Sequence, residues 1–242
     1  MRISVCIPTY NGEKYIKEQL VSILVQLSVD DEIIISDDSS NDTTIEIIKS
    51  FQDSRIKLFE NNIFKSPIFN LENALKHSSG DIIFLADQDD IWELNKVKIT
   101  LEKLKYSDLV VSDCSLIDAS QNLVNTSFYA LNKTKSGYVN NLIKNGFLGC
   151  CMAFNTKIKK SVLPFPKNIA MHDIWIGLTA SLVGKVDFIE DKLIRYRRHG
   201  DNFSYTSTKS KFSVYYKFTY RTYFLYHTFK RLLSKKKVLN ES

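Results

Sequence analysis

The sequence predicts an α/β fold: a mostly parallel sheet flanked by helices. Three observations carry this. Short apolar runs alternate with helical stretches from residue 1 to 112. Two of the runs, EIIIS (32–36) and DIIFLA (81–86), are apolar at successive positions, as in strands covered by helices on both faces. Finally, the polar clusters Pro8-Thr9-Tyr10-Asn11, Asp37-Asp38 and Asp87-Gln88-Asp89-Asp90 each follow such a run directly. Ligands of an open parallel sheet bind beyond the carboxyl ends of its strands, so the three clusters are expected to line one cleft.

The elements read in order as follows. RISVCIP is a strand, and GEKYIKEQLVSILVQL places Tyr15, Ile16, Leu20, Ile23, Leu24 and Leu27 at helical spacing. EIIIS is stopped by DDSSND, where Asn41 or Asp42 is the expected N-cap of the helix TTIEIIKSF. RIKLFEN is a third strand, NLENALKHS a helix closed by Gly80, and DIIFLA a fourth strand; the helix LNKVKITLEKLK and the strand DLVVSD follow. Past residue 113 the pattern loosens. SFYALNKTKSGYVNN reads as a loop and a helix start. GFLGCCMAFN reads as a strand whose Gly146 and Gly149 permit close backbone approach, MHDIWIGLTASLVG as a helix, and KVDFIEDKLIRYRR as a strand.

The chain has 242 residues, 44% apolar and 25% charged, enough for one large domain with a sizeable core. No apolar run reaches the ~18 residues of a membrane span, and the first residues show no signal-peptide pattern. Cys6, Cys114, Cys150 and Cys151 form no CxxC pair or zinc spacing and read as buried cytosolic thiols. The net charge of +6 is unevenly placed: Lys209 to Lys237 holds nine Lys or Arg and no acid, and the rest has 24 basic and 27 acidic residues, a net of −3. A mildly acidic body with a basic tail suggests that the tail has its own anionic partner.

The sequence has no GxxxxGK[ST] or GxGxxG loop, no HExxH and no GxSxG, so nucleoside-triphosphatase, dinucleotide, zinc-protease and serine-hydrolase chemistries lack their devices. What remains is FLADQDDIW, a buried strand driven into Asp87, Asp89 and Asp90. Like charges this close shed their repulsion by protonation or by a cation, and an all-oxygen cluster suits Mg²⁺ or Mn²⁺ shared with substrate phosphates. Asp89 and Asp90 are neighbours on extended chain and need not both face the ion. Acid–base work falls to His172-Asp173 at a helix mouth or to His199. Against these stand plainer readings: DDSSND as a loop, His172-Asp173 as a capping pair, His199 in a solvated basic loop with Arg195, Arg197 and Arg198, and Trp92, Trp175 and Tyr15 as core.

Taken together, VCIPTYNGEKYIKEQLVSIL, IIISDDSSNDTT, GDIIFLADQDDIWELNK, GFLGCCMAF, MHDIWI and YRRHGDN resemble, in this order, the family 2 glycosyltransferases of GT-A fold. The closest flavour is the bacterial enzymes of O-antigen and capsule polysaccharide synthesis, rhamnosyltransferase-like members included. The resemblance spans residues 1–204, with a nucleotide-binding half (1–112) and an acceptor half (113–204). It implies that Pro8, Tyr10 and Asp38 hold the base of a UDP-sugar or dTDP-rhamnose, with Asp37 as helper or in exchanged role. Asp87 and Gln88 would lie on the nucleotide-sugar, Asp89 on the metal, and Asp90 on the donor sugar or behind the metal. Asp173 would be the general base of an inverting transfer to a lipid-linked or oligosaccharide acceptor, and His199 a metal or diphosphate contact. Two positions depart from the family. Its Arg-Asn pair is replaced by Glu72-Asn73, leaving Asn70 as a neutral substitute, and the helix of Asp173 opens His-Asp where others open Glu-Asp.

The tail, residues 205–242, carries nine aromatic residues between Lys209 and Lys237. On a helix Phe212, Tyr215, Tyr216, Tyr223 and Tyr226 share one side and Lys217 and Arg221 face away, which suits a helix lying on an anionic membrane surface. The alternative is a helix packed on the body or on a partner subunit. The implied location is cytoplasmic, peripheral to the inner face of a bacterial plasma membrane, and no nucleic-acid partner is expected. Two other functions compete: a non-catalytic nucleotide-sugar or glycan-binding module, and a haloacid-dehalogenase-like phosphatase, whose Asp-x-Asp would sit on the first strand.

Overall fold

The computed structural model describes residues 1–199 and 214–240. Its first half alternates as expected: β1 (Ile3–Thr9), α1 (Ile16–Leu24), β2 (Glu32–Asp37), α2 (Thr44–Ser50), β3 (Ile56–Phe59), α3 (Pro67–His77) and β4 (Ile82–Leu85). The strands lie in the order β3-β2-β1-β4 and are all parallel, so β1 and β4 flank the point where the winding reverses. β2 and β4 are buried throughout, as continuous apolar runs require. α1 buries Ile16, Leu20 and Ile23 at helical spacing. Pro67, whose fixed φ suits a helix start, opens α3.

The second half contains β5 (Ile91–Trp92), α4 (Lys96–Leu104), β6 (Leu109–Ile117), β7 (Leu123–Asn125), α5 (Phe128–Asn132), α6 (Tyr138–Ile143), β8 (Met152–Asn155), α7 (Thr156–Val162), α8 (His172–Val183), β9 (Val186–Arg197) and α9 (Val214–Asn240). It completes one sheet, β3-β2-β1-β4-β8-β6-β9-β5, with β7 on β6. Here the sheet is mixed. β8 runs antiparallel to both neighbours, β4 and β6, whereas β9 returns parallel to β6. The expected strand GFLGCCMAFN is therefore shorter than its apolar run. Gly149–Cys151 form a 3₁₀ turn and the strand starts only at Met152. A Cβ on Gly149 would fall 2.7 Å from His172 Nε2, so the glycine lets the chain turn against that ring. β5, β7 and α7 are elements that the pattern does not announce.

At the amino end of the strands, opposite the polar loops, Glu32 is buried among Ser4, Ser79, Arg2 and Lys57. Its Oε1 accepts from Ser4 Oγ (2.6 Å) and from Ser79 N–H (2.7 Å), and its Oε2 from Lys57 Nζ (2.6 Å). Burial pushes this carboxyl up, but the bonds from Lys57, Ser4 and Ser79 outweigh it and hold the pKa at about 2. Glu32→Gln is expected to cost about 2–3 kcal/mol of unfolding free energy at neutral pH in a urea titration. Because the native pKa lies below the ordinary 4.5, this contribution is complete above that pH and fades as pH falls towards about 2. The stability gap between parent and variant should close over that window.

Candidate active site

β1 and β2 end side by side, Thr9 opposite Asp37. Their loops turn through Asn11 (φ 47°) and Ser39 (φ 62°), both in the left-handed region. Cross-bonds stitch the loops together. Thr9 Oγ1 donates to Asp37 Oδ2 (2.7 Å), Asn11 N–H to Ser40 Oγ (2.9 Å), and Asn41 N–H to Asn11 Oδ1 (2.9 Å). Asp37 also accepts from Ser40 N–H (2.8 Å) and Ser40 Oγ (2.6 Å), and is buried. Its carboxylate is consumed inside the turn, so of the adjacent pair Asp38 stands at the edge. Asp38 accepts from Phe64 N–H (2.6 Å) and Ser66 N–H (3.1 Å), ordering the segment before α3. A carboxylate has about four lone-pair sites, so acceptor capacity remains. Pro8 is partly exposed and Tyr10 is 56% exposed beside these loops. In the DDSSND turn the N-cap of α2 is Thr43, one residue past the expected Asn41 or Asp42, and Asp42 accepts from Thr44 N–H (3.0 Å) from the position before it.

The DQDD loop after β4 is fixed from three sides. α1 presents Gln19 and Ser22, and Gln26 follows just past its C-terminal end: Gln19 Nε2 donates to Asp87 O (2.8 Å), Ser22 Oγ accepts from Trp92 N–H (3.0 Å), and Gln26 Oε1 from Val97 N–H (3.2 Å). Gln88 clamps the Tyr10 peptide, accepting its N–H at 2.9 Å and donating to its carbonyl at 3.0 Å. Gly12 makes room for this clamp, since a Cβ there would meet Gln88 Oε1 at 2.5 Å. Gln88 thus ties two loops together. From the far end of the chain comes Arg197, which is fully buried. Its N–H donates to Asp90 Oδ1 (3.0 Å), its Nε to Asp89 O (2.8 Å) and its Nη2 to Glu18, and its guanidinium lies 4.6 Å from the Tyr15 ring centre. Two residues on, His199 Nε2 meets Asp89 Oδ2 at 2.7 Å, with the imidazole 4.9 Å from the Tyr15 ring.

One ligand atom each from Asp87, Asp90 and Cys150 lie within 4.8 Å of one another, and Asp90 Oδ2 is buried without a hydrogen-bond partner among the described residues. Burial first, then Asp89, pushes the Asp87 carboxyl up to about 7; burial and the same neighbour push Asp90 well above the carboxylate range. Beneath them Lys96 is buried with its ammonium 5.0 Å from the Trp92 ring and 5.8 Å from the Phe84 ring. On the acceptor half, Asp173 opens α8. Its Oδ1 accepts from Ile174 N–H (2.7 Å) and its Oδ2 from Asn145 Nδ2 (3.0 Å), and burial raises its pKa. Burial likewise lowers that of His172. The field of Asp173 reaches Asp87, so α8 and β4 bring the two carboxylates into one region.

Several expectations change here. The basic stretch at Arg197 and His199 is an internal anchor instead of a solvated loop; Gly200 to Asn202 lie outside the described residues. Tyr15, taken as core, lies between Arg197 and His199 as a support of the site. Asn70 is buried, with its Nδ2 bonded to Thr9 O (3.1 Å), and braces β1 where a ligand contact was expected. Trp92 and Trp175 are core, as read. The sequence reading missed the roles of Arg197, Gln19, Lys96, Asn145 and Cys150. For Gln19, Ser22 and Gln26 the signal was present, as polar residues at helical spacing on a buried face.

The family model described as "Glycosyl transferase family 2" matches residues 4–163. The chain belongs to glycosyl transferase family 2. Among its relatives is the Escherichia coli UDP-Glc:alpha-D-GlcNAc-diphosphoundecaprenol beta-1,3-glucosyltransferase WfgD, 30% identical over 68% of this chain and 64% of WfgD. Another is the Shigella flexneri dTDP-rhamnosyl transferase RfbG, 38% identical over 41% of this chain and 37% of RfbG. The match to WfgD thus spans less than two thirds of that relative. The S. aureus TarS 1–349 structure in complex with UDP-GlcNAc superposes with a TM-score of 0.68 at 21% identity, over 86% of this chain and 61% of TarS 1–349, and shares the GT-A fold. In this family 2 chain, the strand ends that carry the polar loops are those of the shared fold.

If the Gln88 clamp sets the Tyr10 loop, Gly12→Ala expels the amide and lowers the unfolding free energy by about 1–2 kcal/mol in a urea titration, the loss of one to two hydrogen bonds. Added to Gln88→Ala it should cost nothing further, since the two act through one contact.

Proposed function

We propose that this chain is an inverting glycosyltransferase that moves a sugar from a pyrimidine nucleoside-diphosphate donor, a UDP-sugar or dTDP-rhamnose, to a hydroxyl of a lipid-linked cell-surface glycan. Residues 1–204 form its catalytic unit and 205–242 an appended tail. The observation that carries the reading is the meeting of Asp89 and His199, 110 positions apart in sequence and 2.7 Å apart in space, beside Asp87 and Asp90 at a sheet's carboxyl edge. The names of WfgD and RfbG support both the donor class and, for WfgD, the lipid-diphosphate acceptor.

Pro8, Tyr10 and Asp38 line the base, with the Asp38 carboxylate accepting from a pyrimidine N3–H and Asp37 holding the turn. Asp87 and Gln88 lie along the ribose and diphosphate, Gln88 through the Tyr10 peptide, and Asp90 supports the donor-sugar side. A carboxylate oxygen beside an imidazole nitrogen, next to a buried carboxylate oxygen that lacks a partner, fits Mn²⁺ or Mg²⁺, with Asp89 and His199 as its protein ligands. When bound, such an ion neutralises charge developing on the leaving diphosphate. Asp173 takes the proton of the acceptor hydroxyl as its oxygen bonds to the anomeric carbon, and the anomeric C–O bond to the diphosphate breaks on the opposite face. Asn145 and the Ile174 N–H hold the Asp173 carboxylate in one orientation for that transfer.

Asp173→Asn is expected to lower kcat by about 10²–10⁴-fold while leaving the UDP dissociation constant unchanged, read by product formation and calorimetry. In the parent, burial raises the pKa of this base, so the acidic limb of kcat/KM should fall above the ordinary carboxylate range. Below that limb Asp173 is protonated and cannot accept the proton. Separately, UDP with Mn²⁺ should raise the melting temperature and Asp89→Ala should abolish the metal-dependent part of the rise. Absence of a nucleotide shift in the parent would overturn the donor-site assignment.

A further inference from the structure

α9 docks on the body by one face. Phe224 and Thr228 are buried, Thr228 Oγ1 lies 2.8 Å from Tyr138 OH, Tyr223 OH accepts from Asn168 N–H at 3.3 Å, and Arg231 donates to Pro164 O (2.6 Å) with its guanidinium 5.4 Å from the Trp175 ring. Tyr223 therefore faces the body, whereas Tyr216 and Tyr226 of the same expected aromatic side are 40% and 61% exposed. Phe212 and the side chains of Tyr215 and Lys217 lie outside the described residues. The free side carries Phe218, Leu225, Phe229 and Leu233, spaced by seven, four and four residues and each 40% to 65% exposed.

α6 runs antiparallel beside this stripe. Its first residue, Tyr138, touches Thr228 and Phe229, and its last, Ile143, accepts from Arg221. Leu225 lies between those contacts, and α6 adds Val139 (65% exposed) and Ile143 (60% exposed) alongside. The charge around the patch has one sign. Between Asp118 and Asp173 there are seven lysines and no acid, and Lys133, Lys135 and Lys144 of this stretch are exposed beside α6. On α9 Lys230 is exposed as well, and the sequence from Lys209 to Lys237 contains no acid. No helix among the described residues is long and apolar enough to cross a membrane.

We infer that the outer sides of α6 and α9 form one docking surface for the face of an anionic bilayer, with the apolar stripe at headgroup depth and the lysines on the lipid phosphates. The two helices share the site because neither alone carries both the apolar width and the charge. The choice of lipid as partner rests on the transferase reading, in which the acceptor is lipid-linked. A second copy of the chain would fit less well, since it would bring a surface of the same positive sign against this one.

The test is sedimentation of the full chain with phospholipid vesicles. It is expected to pellet with vesicles of about one-third phosphatidylglycerol, to stay in solution with phosphatidylcholine alone, and to be released when salt shortens the screening length to ~3 Å. Replacing Val139, Ile143, Leu225 and Leu233 by serine should cut binding at least about tenfold, and Lys133→Gln and Lys135→Gln should each weaken it by about fivefold. All three variants should keep the parent's circular-dichroism melt. Failure of the parent to pellet with anionic vesicles overturns the inference. So does a parent that light scattering finds dimeric where the serine variant is monomeric, for the face is then an interface between copies. Nucleotide binding is read separately, without vesicles: vesicle binding alone keeps the surface and removes the transferase reading, and UDP binding alone does the reverse.

Discussion

Carboxylates gathered at the end of a buried strand repel one another and lose hydration, and much of the architecture serves to hold them there. Asp87, Asp89 and Asp90 follow β4 directly, and Asp173 arrives from α8. The chain offsets the repulsion with fixed donors. Gln19 takes the Asp87 carbonyl, Arg197 ties the Asp90 carboxylate and the Asp89 carbonyl, and Lys96 puts a buried ammonium beneath them. The compensation is partial, since Asp90 Oδ2 still has no partner among the described residues and burial still drives the Asp87 carboxyl to about 7. On the donor-site proposal, a site left short of positive charge in this way takes up a cation from solution.

The same logic explains why the donor loops are stitched so densely. Two left-handed residues, Asn11 and Ser39, sit where the chain leaves β1 and β2, and such backbone persists only when its surroundings over-determine it. Thr9–Asp37, Asn11–Ser40, Asn11–Asn41 and the two bonds of Gln88 to Tyr10 supply that. Asp37 is the fastener of the turn, and on the donor-site proposal Asp38 is the one of the pair that meets the base. Adjacent carboxylates of identical chemistry acquire different roles from a single turn of the backbone.

That division marks how far the sequence could be read. The first half was legible because covered parallel strands are written as continuous apolar runs, and the polar clusters behind EIIIS and DIIFLA stand out against them. The antiparallel insertion of β8 was not legible: GFLGCC has strand-like composition, yet Gly149–Cys151 form a 3₁₀ segment, with Gly149 close against the His172 ring from a distant helix. For the stretch Arg195 to His199 a solvated basic loop stood as an alternative to a site contact, because the partners of Arg197, Glu18 and the 89–90 loop, lie far away in sequence. The tail's aromatic side was legible only in part: Tyr216 and Tyr226 are exposed, but Tyr223 turns to the body. Aromatic residues recur all round α9, so periodicity alone does not say which face Trp175, Tyr138 and Asn168 will cover.

The position of α8 joins these parts. Its first turn carries Asp173, whose carboxylate is oriented by Asn145, and its side receives α9, with Arg231 of α9 lying over Trp175 two residues beyond the carboxylate. α9 also shares the main apolar core through Phe224. The outer surface of α6 and α9 is thus tied through packed side chains to the helix that bears the proposed base. An acceptor anchored in a surface against α6 and α9 would have its reach to Asp173 set by the body of the protein. On this view the donor half fixes the nucleotide through backbone geometry, while the acceptor half fixes a distance from a plane. A helix that buries one face in the core and leaves the other apolar and cationic is the element suited to set that distance.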